Sequence, residues 1–320
     1  MNSHAKAHLG RSQVLVTRLG LGTAPLGGLF APVAHDDALR TIEAAWQAGI
    51  RFFDTAPLYG HGLAEMRLGE ALAYRPRNDY VLATKVGRLL QPVKGKAIED
   101  RHYKGTPPVA PAFDFSYDGV MRSVDESLGR LKLDRIDVLH IHDPDDHYDA
   151  AVGGAYRALA RLRQEGTVRA IGAGMNQWEM LQGFAVQCNF DCFLLAGRYT
   201  LLDRSAGESL LPTCERKSIS IIAGGVYNSG ILADPRAGAK FDYEVAPSAL
   251  VAEAQRLDGI CSAHAVSLKA AAIQFPLTHR AVAAVLTGAR SEDELRDNVA
   301  MFETPLPPGL WNALGVPPDA

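Results

Sequence analysis

An alternation constrains this chain more than any other feature. Short runs rich in β-branched and aromatic residues recur eight times: Leu19–Thr23, Arg51–Thr55, Tyr80–Lys85, Ile136–His142, Val168–Gly172, Cys192–Ala196, Ser218–Ala223 and Ala283–Gly288. Their apolarity is nearly continuous, as strands covered on both faces require. Helical patterns separate them at Asp36–Ala48, Leu63–Ala73, Tyr117–Leu131, Val152–Glu165, Trp178–Gln187, Gly207–Lys217 and Pro247–His264. Leu268–Leu277 shares the last gap, and Glu292–Met301 follows the eighth run. Strand–helix alternation repeated this often predicts an α/β fold, a closed parallel (β/α)8 TIM barrel, rather than an open sheet. Gly49 and Gly166 supply helix stops. Ser291 predicts an N-cap, with Glu294 reaching back as its capping-box partner.

A length of 320 residues suits one such barrel with insertions, and no low-complexity linker divides it, so residues 1–320 read as one domain. The formal charge of −3 lacks the basic excess of a nucleic-acid binder. Nor does the chain contain an apolar run long enough to span a membrane. Cys188, Cys192, Cys214 and Cys261 form no C-x-x-C pair. With no apolar leader between Met1 and Arg11, the expected compartment is the reducing cytoplasm. His4, Lys6 and His8 read as a frayed, solvated start. The sequence carries no signal for oligomeric state.

Two stretches exceed a minimal barrel. Leu89–Phe113 carries Pro92, Pro107, Pro108 and Pro111, and Tyr227–Pro247 is also irregular in pattern. Both follow strands, the third and the seventh, so they are expected to overhang the C-terminal rim where such barrels place active sites.

Chemistry-bearing residues gather at the same rim. Asp54 ends the second run, Tyr59 follows five residues later, Lys85 ends the third run and His142 the fourth. Adjacent strands lie about 4.8 Å apart, so these groups can share a pocket. A free phenol, with a pKa of about 10, is a poor proton shuttle at neutral pH. An ammonium beside it favours the phenolate. Lys85 is expected to do this for Tyr59, with Asp54 holding Lys85 and His142 binding the substrate oxygen. That combination suits carbonyl–alcohol redox chemistry. Taken singly, each residue equally fits a helix cap or a structural ion pair; the weight comes from three successive strand ends.

Other groups bear on competing readings. His140 and His142 form H-x-H, near Asp143, Asp145, Asp146 and His147. A metal site would need more ligands at other strand ends, and Lys85 is a poor neighbour for a cation, so none is expected. Gly22, Gly27 and Gly28 do not make G-x-G-x-x-G, which excludes a Rossmann reading. Gly224 and Gly225, followed by Asn228, Ser229, Gly230 and Leu232, stand where barrels commonly bind phosphate, although a plain glycine-rich turn is the alternative. Asp145, Asp146, His147, Arg198 and Trp178 are candidates for recognising substrate hydroxyls, against a merely solvated rim.

The segments Gly49–Gly60 (GIRFFDTAPLYG), Thr84-Lys85 and Ile136–His142 (IDVLHIH) resemble the aldo-keto reductase superfamily, and the likeness runs from Leu19 to about Val299. The resemblance implies a barrel that binds a nicotinamide cofactor, with Asp54, Tyr59, Lys85 and His142 as catalytic tetrad. It implies that Asn176 contacts the carboxamide. Ala196 stands where the family has a carboxamide-binding Gln, and the aromatic that stacks on the nicotinamide falls near Gly224–Gly225. Phe113–Asp118, His142–Asp145, Ala196–Asp203 and Ala223–Leu232 resemble the branch holding D-threo-aldose 1-dehydrogenases, L-fucose dehydrogenases and a pyridoxal 4-dehydrogenase; Gly225 fits that branch. Counted back from Asn298, the positions that grip the 2′-phosphate of NADP fall on Gly288 and Glu294. With Arg290 as a possible counterweight, this implies NAD in preference to NADP. The implied substrate is a sugar or aldehyde. A broad-specificity NADPH-dependent aldehyde reductase and a regulatory subunit that binds nucleotide with little turnover are the alternatives.

Overall fold

The computed structural model describes residues 1–94 and 100–316. Eight parallel strands close into a barrel: β1 Leu19–Gly22, β2 Phe52–Asp54, β3 Val81–Val86, β4 Val138–His142, β5 Ala170–Met175, β6 Cys192–Ala196, β7 Ser220–Gly224 and β8 Val282–Gly288. Each strand pairs with the next, and β8 pairs back onto β1. All eight expected strands are present, with ends displaced by up to three residues. Helices follow them on the outside, including Tyr117–Leu131 and Trp178–Gln187 as expected. The fourth expected helix is broken: a π-helical segment at Ala151–Tyr156 precedes Arg157–Gln164.

Strand parity divides the core in two. Successive side chains point to opposite faces of a strand. Phe52, Val81, Ala83, Val138, Ala170, Cys192, Leu194, Ile222 and Leu286 therefore fill the barrel interior. Phe53, Leu82, Leu139, Ile171, Phe193 and Ile221 join the layer beneath the helices. Asp54 shares parity with Phe52, Lys85 with Ala83, and His142 with Val138, so all three point inward at the barrel's top.

The N-terminus is not frayed. Lys6–His8 and Leu15–Thr17 pair as an antiparallel hairpin, and Leu9, Val14 and Val16 are fully buried with the barrel interior. The hairpin plugs the end of the barrel opposite the site; Lys6, His8 and Leu15 are among the side chains it leaves exposed. The long stretch after β3 also contains a hairpin, Arg88–Pro92 with Val109–Phe113. The one after β7 contains another, Lys240–Phe241 with Glu244–Val245. Both overhang the C-terminal rim as expected. Asp100 ties the first loop down: it accepts from the backbone N–H groups of His102 and Tyr103 at 2.7 Å, and lies 3.2 Å from Nε2 of the buried His61.

Ser291 caps the last barrel helix by accepting from the Glu294 N–H at 3.3 Å. Glu294, however, reaches one residue beyond the expected box partner, accepting from the Arg290 N–H at 2.8 Å, because it is also drawn to the Arg290 guanidinium.

Candidate active site

Lys85 Nζ, almost completely buried, donates to Asp54 Oδ1 at 2.6 Å and to the Thr55 carbonyl at 2.9 Å. The same Nζ lies 4.6 Å from the centroid of the Tyr59 ring. His142 meets that ring edge-on, with centroids 5.7 Å apart. Tyr59 sits on a turn that packs against Pro25–Gly27. A Cβ on Gly60 would meet the Gly27 carbonyl at 2.2 Å and one on Gly27 would meet Tyr59 backbone at 2.6 Å, so two glycines allow that approach. The structure thus brings Asp54, Tyr59, Lys85 and His142 into one cluster.

The electrostatics differ from expectation at Tyr59. Loss of water pushes the phenol well above its usual range, and the Asp54 carboxylate adds to the effect. Lys85 itself donates to Asp54 and to the Thr55 carbonyl. Burial also raises the Asp54 carboxyl, against the pull of Lys85. Burial, with the cations of Arg88 and Lys85, holds the His142 imidazole well below its ordinary value, so it is neutral. The fully buried His140 is pushed down to about 3 and lies 3.5 Å from Cys192 Sγ, which makes it a packed barrel residue. Among the described residues, no group of three or more His, Cys, Asp and Glu side chains is placed to hold a metal ion.

Two cavities meet at Tyr59. The larger, about 470 Å³, runs toward the ends of β7 and β8 and is lined by Gly225, Ser229, Gly230, Gly288, Arg290, Glu294 and Asn298. The smaller, about 240 Å³, is lined by Leu58, Lys85, His102, Tyr103, His142, Asp143, Met175 and Asn176. Tyr59, Leu29, Ala196 and Tyr243 border both.

Five of the other expected residues lie elsewhere. Asn228 is buried and turned away: its amide donates to the Gly197 carbonyl at 3.1 Å and accepts from Thr200 at 2.6 Å. Leu232 is fully buried in the core. Arg198 forms a bidentate pair with Asp242, at 2.8 and 2.7 Å, and so holds the loop after β7 rather than facing either cavity. Trp178 packs against the core, and Asp145 is exposed. Asn176 is also engaged, donating to the Ala196 carbonyl at 3.0 Å and meeting the Tyr243 hydroxyl.

Several lining residues carry no sequence motif. Tyr103 stacks on Tyr59 with centroids 6.2 Å apart, and Tyr243 packs on Phe30 and His102 at 6.0 and 5.7 Å. Lys269 lines the large cavity, paired with Asp297. Thr287 lines it too, and its buried hydroxyl has no partner among the described residues. A cavity of about 470 Å³ walled by Gly225, Gly230 and Gly288, which bring no side chain, with cations at Lys269 and Arg290 and an orphaned Thr287 hydroxyl, fits a dinucleotide.

Comparison with known proteins agrees with this geometry. The sequence model described as "Aldo/keto reductase family" matches residues 18–314. The chain is 43% identical to a pyridoxal 4-dehydrogenase from Microbacterium luteolum, over 98% of this chain and 97% of that protein. It is 40% identical to a D-threo-aldose 1-dehydrogenase from a Pseudomonas species, over 93% of each. Among solved structures it is similar to the holo form of an aldo-keto reductase from Bacillus halodurans, with a TM-score of 0.77 and 27% identity over 98% of this chain and 95% of that one.

Proposed function

The chain belongs to the aldo/keto reductase family, and on that premise we propose that it is an NAD-dependent dehydrogenase oxidising the C1 hydroxyl of an aldose, of the L-fucose or D-threo type, to a lactone. The cyclic hemiacetal of pyridoxal offers the same carbinol chemistry. The observation that carries this reading is the position of Tyr59, at the junction of a glycine-lined cavity and a smaller one that holds Lys85, His142 and Asp143.

A nicotinamide cofactor, when bound, supplies the acceptor for the hydride that leaves the carbinol carbon. Gly225, Ser229, Gly230, Lys269, Thr287 and Gly288 would hold it. Tyr59 Oη takes the proton of the substrate hydroxyl as general base and returns it in the reverse direction. His142 Nε2, on a neutral ring, hydrogen-bonds the same oxygen and orients it without competing for the proton. The Asp54–Lys85 pair keeps an ammonium against the ring and balances its charge within the buried floor. Leu29 and Tyr243 border both cavities, where they limit water at the reacting centre.

Glu294 supports NAD over NADP. It occupies the Arg290 guanidinium at 2.7 Å, and a carboxylate at that rim would repel a 2′-phosphate while accepting from ribose hydroxyls. The likeness to two relatives, a pyridoxal 4-dehydrogenase and a D-threo-aldose 1-dehydrogenase, supports the substrate class. We further read residues 1–320 as one cytoplasmic domain acting on a small molecule; the four free, buried cysteines support that compartment. Among the described residues, no helix is long and apolar enough to cross a membrane.

The test is a turnover screen with L-fucose, D-arabinose, L-galactose and pyridoxal, with NAD and with NADP, followed by nicotinamide absorbance. NAD-linked oxidation of at least one sugar is expected, with the higher kcat/KM for NAD. A clear NADP preference overturns the cofactor assignment. The protonated state of Tyr59 favours a second reading, aldehyde reduction at neutral pH, so the same panel of carbonyl compounds is run with reduced cofactor. Cofactor binding without turnover in either direction overturns the enzymatic reading.

A further inference from the structure

Asp143 follows His142 directly, and its backbone adopts φ of 40°, a left-handed conformation uncommon for a residue with a side chain. Its N–H donates to the Gly174 carbonyl at 3.1 Å, which fixes that turn across the neighbouring strand. The conformation carries the carboxylate into the wall of the small cavity. There Oδ2 lies 3.3 Å from Arg88 Nη2 and 3.4 Å from His142 Nε2. Oδ1 receives no hydrogen bond from the described residues. Arg88 is itself held: its Nη1 donates to the His142 carbonyl at 3.4 Å and its guanidinium lies 4.7 Å from the Phe113 ring centroid. The exposed Asp145 stands outside this cavity.

A fixed carboxylate with a spare oxygen, beside the imidazole that faces the reacting oxygen, is a reader for a second hydroxyl. Staggered vicinal hydroxyls hold their oxygens about a hydrogen-bond length apart. His142 Nε2 and the Asp143 carboxylate, 3.4 Å apart at Oδ2, are close enough to take one oxygen each of such a pair. A substrate oxygen on His142 therefore puts the hydroxyl of the next carbon within reach of the carboxylate. A substrate lacking that hydroxyl leaves a partly desolvated acceptor unpaired, which is costly.

We propose that Asp143, braced by Arg88, accepts a hydrogen bond from the hydroxyl on the carbon adjacent to the reacting carbinol, so that this site selects vicinal diols: aldoses bearing a free C2 hydroxyl. This rests on the dehydrogenase reading above and narrows its substrate class.

The experiment measures kcat and KM for L-fucose and 2-deoxy-L-fucose with NAD, on the full-length wild type and on Asp143→Asn. A hydrogen bond to a charged group predicts that the wild type favours L-fucose about 10–100-fold in kcat/KM. Asp143→Asn removes most of that ratio, mainly by raising KM for L-fucose. Equal turnover of the two sugars by the wild type overturns the inference and leaves the dehydrogenase reading intact. A variant that slows both sugars alike, preserving their ratio, gives Asp143 a merely structural role and also overturns it. Failure of the wild type to oxidise any aldose overturns the inference together with the sugar reading. If Asp143→Asn does not fold, the wild-type ratio still decides.

Discussion

The buried Lys85–Asp54 pair offers a sharp test, because its partners sit almost out of reach of water. Their side chains are 1% and 3% exposed, and Asp54 Oδ2 has no hydrogen-bond partner among the described residues. Lys85→Met removes two hydrogen bonds and strands the carboxylate. Breaking a buried pair from one side costs about 3–5 kcal/mol. Asp54→Asn strands the ammonium and is expected to cost a similar amount. The double variant strands neither charge and is expected to recover much of the loss, giving a large favourable coupling in the cycle. Stability is measured by urea denaturation followed by circular dichroism. Burial already raises the Asp54 carboxyl, and without Lys85 it rises further. The folded Lys85→Met protein then holds a proton that the unfolded chain releases at about pH 4, so its deficit shrinks as pH falls toward about 4. Additive single variants, or a deficit independent of pH, would refute the account of the pair as a mutually dependent buried charge couple.

Tyr59 supplies a pH prediction: since its phenol is held well above the ordinary range, the base form needed for oxidation is scarce at neutrality. Oxidative kcat/KM is therefore expected to climb from about pH 7 to about pH 10, and a flat profile contradicts it. Tyr59→Phe should lower turnover about 10²–10⁴-fold with cofactor binding, read by fluorescence titration, largely kept. Glu294→Gln frees Arg290 and should shift the NADP-to-NAD ratio of kcat/KM toward NADP by about 1 kcal/mol at most, roughly fivefold, since the pair is part-exposed. Asp137, fully buried, accepts from Arg77 at 2.6 Å and from the Leu82 N–H at 2.9 Å; Asp137→Ala should cost about 3–5 kcal/mol in urea titrations without changing the pH profile.

How much of this was legible in the sequence follows from where the information lies. The barrel strands were, because burial on both faces leaves near-continuous apolarity, and their ends moved little: Cys192–Ala196 is the same in pattern and in structure. The strand-borne acid, ammonium and imidazole were legible too, since parity and adjacency alone aim them into the barrel. The hairpin after β3 was not. Prolines 92 and 111 read as breakers, yet both stand in its two strands, outside the barrel where a missing N–H is tolerated. The N-terminal plug was also hidden, because Leu9, Val14 and Val16 are too few to show a period and are buried only once the barrel exists.

The rim explains the other misses, and it shows why residue type was a poor guide there. Arg198 and Asp145 are the kind of residues that bind sugars, but which rim side chain faces inward is decided by contacts distant in sequence. Arg198 is captured by Asp242, 44 residues away, and in that role it braces the turn that presents Tyr243. Asp143 faces the cavity because a left-handed turn and a bond to Gly174 rotate it there. Lys85 shows the same limit inside the barrel. Sequence placed an ammonium beside a phenol, and proximity alone predicted a depressed phenol. The loss of water around the ring, with the Asp54 carboxylate beside it, raises it instead. Position could be read from strand parity; the protonation state depended on how far each group is cut off from water, and that is a property of the folded site.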